Sequence, residues 1–223
     1  MTSLKTLARQ VHRRLLDFYG QPAWQSPMPP VDELISTILS QNTNDANRDR
    51  AFRSLRQRFP TWEQVRDAGP GLVTAIIRPA GLANQKGPRI QQVLKEISAE
   101  HGSLDLHFLG NLPVDAARTW LMKFKGVGPK TAAIVLLFSL NRPAFPVDTH
   151  VYRVTGRVGL LPEKMTVEQA HVHLEHLFPP EAYAVVHLNL IRLGRETCTA
   201  RKPACQRCPL QSPCNYARSQ HNN

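Results

Sequence analysis

The sequence predicts an all-α protein built as two helical lobes, and three observations carry that prediction. Apolar residues recur at helical spacing through most of the chain, in segments separated by short polar, proline or glycine breaks. No two runs with strand alternation are joined by a hairpin turn. All four cysteines fall within residues 198–214, which predicts a ligand loop at the end of the second lobe rather than a disulfide framework spread along the chain.

The elements follow in order. The N-terminal segment is basic and amphipathic, with Leu4, Leu7, Val11 and Leu15 at helical spacing. Asp17 and the segment after it favour a packing helix over a transit peptide. Gln21 to Val31 holds four prolines and reads as a linker. A helix started near Asp32 carries the stripe Leu34, Ile35, Ile38 and Leu39. Phe52, Leu55 and Phe59 form a second stripe. Ile90, Val93, Leu94 and Ile97 form a third, ended by Gly102. Ala132 to Leu137 has the look of a buried strand but continues a helical pattern opened by Pro129. Thr166 and Gln169 have capping-box spacing. The polar tail from Ala217 to Asn223 is predicted to fray. The first lobe is placed at residues 31–140. The second joins residues 1–30 to 141–223 and includes the cysteine loop.

Hydrophobic residues make up 42% of the 223, enough for packed cores. Lys and Arg outnumber Asp and Glu by 28 to 17, a net charge of +11, which favours a polyanionic partner, nucleic acid ahead of a membrane surface. No apolar run approaches the ~18 residues of a membrane span, so no membrane partner is expected.

The segment from Leu121 to Ala132 is the most informative. Gly126 and Gly128 flank Val127 between two helical patterns, and Pro129 suits the first position of a new helix. Such a turn points N–H groups outward where a phosphate can sit. An ordinary helix–helix turn is the plain alternative. Lys125 before the turn and Lys130 after it add charge.

Gly126-Val127-Gly128, then Lys130-Thr131-Ala132, then Pro146-Val147-Asp148-Thr149-His150 resemble the endonuclease III family of helix-hairpin-helix DNA glycosylases. The resemblance runs from about Asp32 to Cys214. It implies that Lys130 is the nucleophile and Asp148 its acidic partner. It implies a bifunctional N-glycosylase and abasic-site lyase of base excision repair, removing damaged bases, oxidised pyrimidines foremost. The partner is then double-stranded DNA with damaged bases or abasic sites, bound by a monomer in the cytoplasm, or in the nucleus of a eukaryote. The chemistry stands on its own terms as well. An amine attacking C1′ must be unprotonated, and the positive end of a helix dipole disfavours an ammonium in its first turn. Asp148 also reads as a helix N-cap ahead of Val151, Val154 and Val158.

Cys198, Cys205, Cys208 and Cys214 can wrap one metal centre. Their spacing alone leaves zinc and iron–sulfur open. The resemblance to the C-terminal loop of the same family implies a 4Fe-4S cluster. Arg201, Lys202 and Arg207 interleave with these cysteines and suit a phosphate backbone. The resemblance also makes Gln41 the side chain that fills the space of a flipped nucleotide, and Leu82 a wedge between bases. Helix-end and folded-back readings compete. His171, His173 and His176 read as a solvated helix rather than a metal site. Two departures stand out. Lys125 replaces a proline common in relatives, and Met122 stands where some relatives have an acidic residue lining the base pocket. A water-using mismatch glycosylase and a non-catalytic DNA-structure binder are the rival readings, and the pairing of Lys130 with Asp148 counts against both.

Overall fold

The computed structural model describes residues 3–23, 27–69 and 71–221. Among the described residues every regular element is a helix. The α-helices are α1 (Leu4–Tyr19), α2 (Pro30–Ser40), α3 (Asp45–Arg58), α4 (Trp62–Asp67), α5 (Leu72–Ile76), α6 (Ala83–His101), α7 (Val114–Met122), α8 (Pro129–Ile134), α9 (Thr149–Val158), α10 (Val167–Glu175), α11 (Tyr183–Glu196) and α12 (Asn215–His221). Short 3₁₀ turns connect several of them. The chain forms two compact units, Pro27–Arg142 and Met1–Ser26 with Pro143–Asn223, where the sequence reading set the limits at 31 and 140.

The first unit is built around α2, which packs on α3, α6 and α8. Its stripe Leu34, Ile35, Ile38 and Leu39 is fully buried, each side chain contributing about 1.5–3 kcal/mol by leaving water. Asp32 and Glu33 lie in its first turn, and the helix starts two residues earlier than Asp32 because Pro30 fits N1. Ile90, Val93, Leu94 and Ile97 of α6 are buried in the same core, and Gly102 ends that helix in a left-handed conformation. From Pro129 to Ser139 the chain is helical throughout, α8 passing into a π turn over Val135–Ser139.

The second unit is centred on α11, which packs against α1 and α9. Val11 and Leu15 of α1, Val151 and Val154 of α9, and Val186 and Leu190 of α11 are buried in its core. Thr166 and Gln169 close a reciprocal capping box at the start of α10.

Two expectations are corrected here. The tail does not fray from Ala217: α12 runs to His221, Ala217 is buried, and α12 packs on α9. The end of the tail at 222–223 and residues 24–26 of the predicted linker lie outside the described residues. The α10 histidines are not solvated as a set. His171 is buried with Nδ1 at 2.9 Å from the Phe145 carbonyl, and His173 Nε2 lies 2.9 Å from the Leu160 carbonyl. Packing of α10 onto the segments before and after α9 decides this, and the periodicity of α10 by itself does not show it.

Candidate functional site

Residues 123–128 join α7 to α8. Phe124 and Val127 are buried and fasten the turn from inside. Gly126 has φ +89°, and a Cβ there would also run into the Arg89 side chain of α6. Gly128 differs. Its φ is −94°, and a Cβ would meet nothing within 4 Å, so packing inside the protein does not demand glycine there. One expectation fails in this turn. The Val127 N–H donates to the Phe124 carbonyl at 3.0 Å, so Val127 anchors the hairpin and does not offer an outward donor. Lys125 is exposed.

Lys130 is the second residue of α8, and α8 packs on α2. The facing turn of α2 supplies Glu33. Burial pushes the Glu33 carboxyl above its ordinary range. The Thr37 hydroxyl, at 3.3 Å, and the charges of Arg48 and Lys130 pull it back, while Asp32 pushes it up. Lys130 therefore has a largely buried acid within electrostatic reach. Gln41 ends α2, and its Nε2 donates to the Gly126 carbonyl at 3.3 Å. The structure thus brings Gln41, the hairpin and Lys130 together in one unit.

Leu82 precedes α6 in the left-handed region, at φ +50°, a strained conformation for a side chain branched beyond Cβ. It is 46% exposed. Met122, at the end of α7, is also exposed. Below the Leu82 turn, Lys86 is almost fully buried and donates to the carbonyls of Leu39 and Ala80, both at 2.8 Å.

Asp148 belongs to the other unit. It caps α9, accepting the Val151 N–H at 2.7 Å. The chain leading to it has no regular secondary structure, is buried at Ala144, Phe145 and Val147, and pairs with no strand among the described residues. Its backbone polar groups need other partners. The Glu175 carboxylate accepts the Phe145 N–H at 2.8 Å, and the Nδ1 atoms of His171 and His187 lie 2.9 Å from the Phe145 and Pro146 carbonyls. These three side chains fix the approach to Asp148.

The four cysteines lie in the same unit. Cys198, Cys205, Cys208 and Cys214 line one pocket with Arg157, Pro203 and Tyr216. No group of three or more His, Cys, Asp or Glu among the described residues closes on a single point as one metal ion requires. Thiols spread around a cavity fit a multi-atom cluster better than zinc. Burial pushes the Cys208 thiol up to about 11; the Leu210 backbone opposes this and the other three cysteines reinforce it. Four thiolates here need cationic charge among them. Helix α9 braces the loop. Arg153 donates to the Cys198 carbonyl at 2.9 Å, and Arg157 to the Thr199 and Ala200 carbonyls at 2.7 and 2.8 Å. Arg201 and Lys202 are exposed on this loop, and exposed Arg207 donates to the Glu196 carbonyl at 3.0 Å.

Sequence reasoning missed Glu33, Lys86, Arg153, Arg157, Glu175 and His187. Arg153 and Arg157 left a signal, one turn apart in the helix that Asp148 starts. Lys86 left none, since a lysine in a polar helical turn reads as surface.

Comparison with known proteins adds to this geometry. A family model described as HhH-GPD superfamily base excision DNA repair protein matches residues 35–180. A second, the iron-sulfur binding domain of endonuclease III, matches residues 198–214. The chain is 30% identical over 215 residues to Endonuclease III of Thermotoga maritima, across 96% of this chain and 93% of that one. It is 40% identical over 151 residues to an Arabidopsis thaliana protein named as a candidate DNA glycosylase, across 68% of this chain, and spans 52% of that protein's length. A solved non-covalent endonuclease III–DNA complex superposes with a TM-score of 0.84 at 26% identity, covering 100% of both chains.

Proposed function

The chain belongs to the HhH-GPD superfamily of base excision DNA repair proteins as an endonuclease III-like DNA glycosylase with a 4Fe-4S cluster, and on that premise we propose that it is bifunctional. It releases a damaged base, oxidised pyrimidines foremost, and then cleaves the strand at the abasic site. The observation that carries this reading is an amine, Lys130, at the start of α8 directly behind the hairpin.

The Lys130 amine attacks C1′ as the base departs with the glycosidic electron pair. Loss of the amine proton and opening of the sugar ring leave an imine between Nζ and C1′. The imine acidifies the C2′ proton, and removal of that proton expels the 3′ phosphate by β-elimination. Asp148, oriented by the Val151 N–H it accepts, stabilises positive charge on the sugar.

Open space before Gly128 supports close approach of a phosphate backbone to the hairpin, with Lys125 beside it. Arg201, Lys202 and Arg207 supply further phosphate contacts. Gln41 occupies the space left by the flipped nucleotide, and exposed Leu82 wedges between bases, as its position on a turn tip allows. Cys198, Cys205, Cys208 and Cys214 hold the cluster, which ties the basic loop into one shape.

A panel of duplexes carrying an oxidised pyrimidine, a G·T mismatch or an abasic site tests the reading, with base release and strand cleavage scored separately. Release of the oxidised pyrimidine with coupled cleavage is expected. Release of mismatched thymine without cleavage would replace the reading with a water-using glycosylase.

A further inference from the structure

Lys86 stands in the opening turns of α6 and is 3% exposed. Burial pushes its pKa down, and no carboxylate pulls it back. A buried ammonium is retained only where hydrogen bonds replace its water. Here its bonds go to two carbonyls, those of Leu39 and Ala80. Each precedes by two residues a side chain assigned to the opened duplex, Gln41 after Leu39 and Leu82 after Ala80. Gln41 is bonded in turn to the hairpin at Gly126, beneath which lies Arg89, one turn beyond Lys86 on α6. An apolar side chain of the same length would fill the space, but it would leave both carbonyls without a donor and the strained Leu82 turn without a tether.

We infer that Lys86 is a positioning residue for strand opening: by holding both carbonyls it fixes the wedge Leu82 and the filler Gln41 as one rigid pair. The inference rests on the reading of Leu82 as a wedge, and a four-variant comparison separates the two. The wild type, Leu82→Ala, Lys86→Met and the double variant are compared in single-turnover reactions. The substrates are a thymine glycol duplex and the same duplex with an abasic site, where no base needs unstacking. Fluorescence of 2-aminopurine beside a thymine glycol whose 2′-fluoro sugar resists cleavage reports unstacking on binding alone, without catalysis.

Lys86→Met should slow the paired-lesion reaction about tenfold more than the abasic one and blunt the fluorescence rise. Lys86→Gln, which keeps a donor, should recover most of the loss and carries the comparison if the methionine variant does not fold. The double variant should be slowed by clearly less than the product of the two single losses, because the lysine acts in part through the leucine and otherwise through Gln41. Additive losses, or equal losses on both duplexes from Lys86→Met beside a selective loss from Leu82→Ala, would overturn the role of Lys86 alone. Equal losses from Leu82→Ala would remove the wedge reading and the inference with it.

Discussion

The guanidinium of Arg157 lies 3.4 Å from the sulfur of Cys198 and also bonds the two carbonyls that follow that cysteine. Cys214 returns the contact, its thiol 3.3 Å from the Arg157 carbonyl. One helix therefore carries Asp148 at its start and a brace for the cysteine loop near its end. Arg157→Met should lower stability by about 1.5–3 kcal/mol, the usual worth of bonds to a charged group. Iron content and absorption near 400 nm should fall with it, and thermal melting with iron assay would detect both. Unchanged iron retention would count against the brace.

Asp148 caps α9, and the proposed mechanism gives it a second duty with a different tolerance. As a cap it is replaceable by Asn, so Asp148→Asn should cost about 1 kcal/mol or less in a denaturant melt. As a charge beside the cationic sugar it is not, and single-turnover base release should slow on the order of a hundredfold. Equal damage from Asn to stability and rate would mean that the residue is a cap only.

Most of the fold was legible because periodicity reports burial directly. Leu34, Ile35, Ile38 and Leu39 were a stripe in the sequence and are a buried face in the structure. Lys130 and Asp148 could be singled out because the residues around them resemble the endonuclease III family, and each also sits at a marked helix start, one after Gly-Pro and the other before Thr-His. The rest depends on long-range packing. His171 looks solvated within α10 and becomes buried only when residues 143–148 lie across it. Val127 looked like an outward donor and is an inward anchor because Phe124 claims its N–H.

Glu33 predicts a pH signature. Its folded pKa lies above the ordinary value of 4.5, chiefly through burial. Between that value and the raised one the folded state binds more protons than the unfolded state, so this group lowers stability as pH rises through the window. Glu33→Gln should therefore gain stability relative to wild type at pH 7. The gain should shrink as pH falls back through the raised pKa and vanish below about 4.5. Urea melts across that range check it, and a gain that grew on acidification would contradict the raised pKa.

Binding to undamaged duplex should be electrostatic. If the hairpin with Lys125 and the loop with Arg201, Lys202 and Arg207 neutralise six phosphates, affinity should fall about a thousandfold between 50 and 200 mM salt. Charge reversal at Lys202 should reduce the slope, whereas a salt-independent affinity would exclude this mode.

Covalent catalysis by Lys130 is decided by borohydride trapping. Wild-type protein with its cluster intact, mixed with an oxidised-pyrimidine or abasic duplex and reduced, should yield a stable protein–DNA adduct with the crosslink on Lys130. Lys130→Gln should bind the same duplexes with near-normal affinity and give no adduct. Wild-type protein that forms no adduct on either duplex, or base release that survives in Lys130→Gln, would contradict the account.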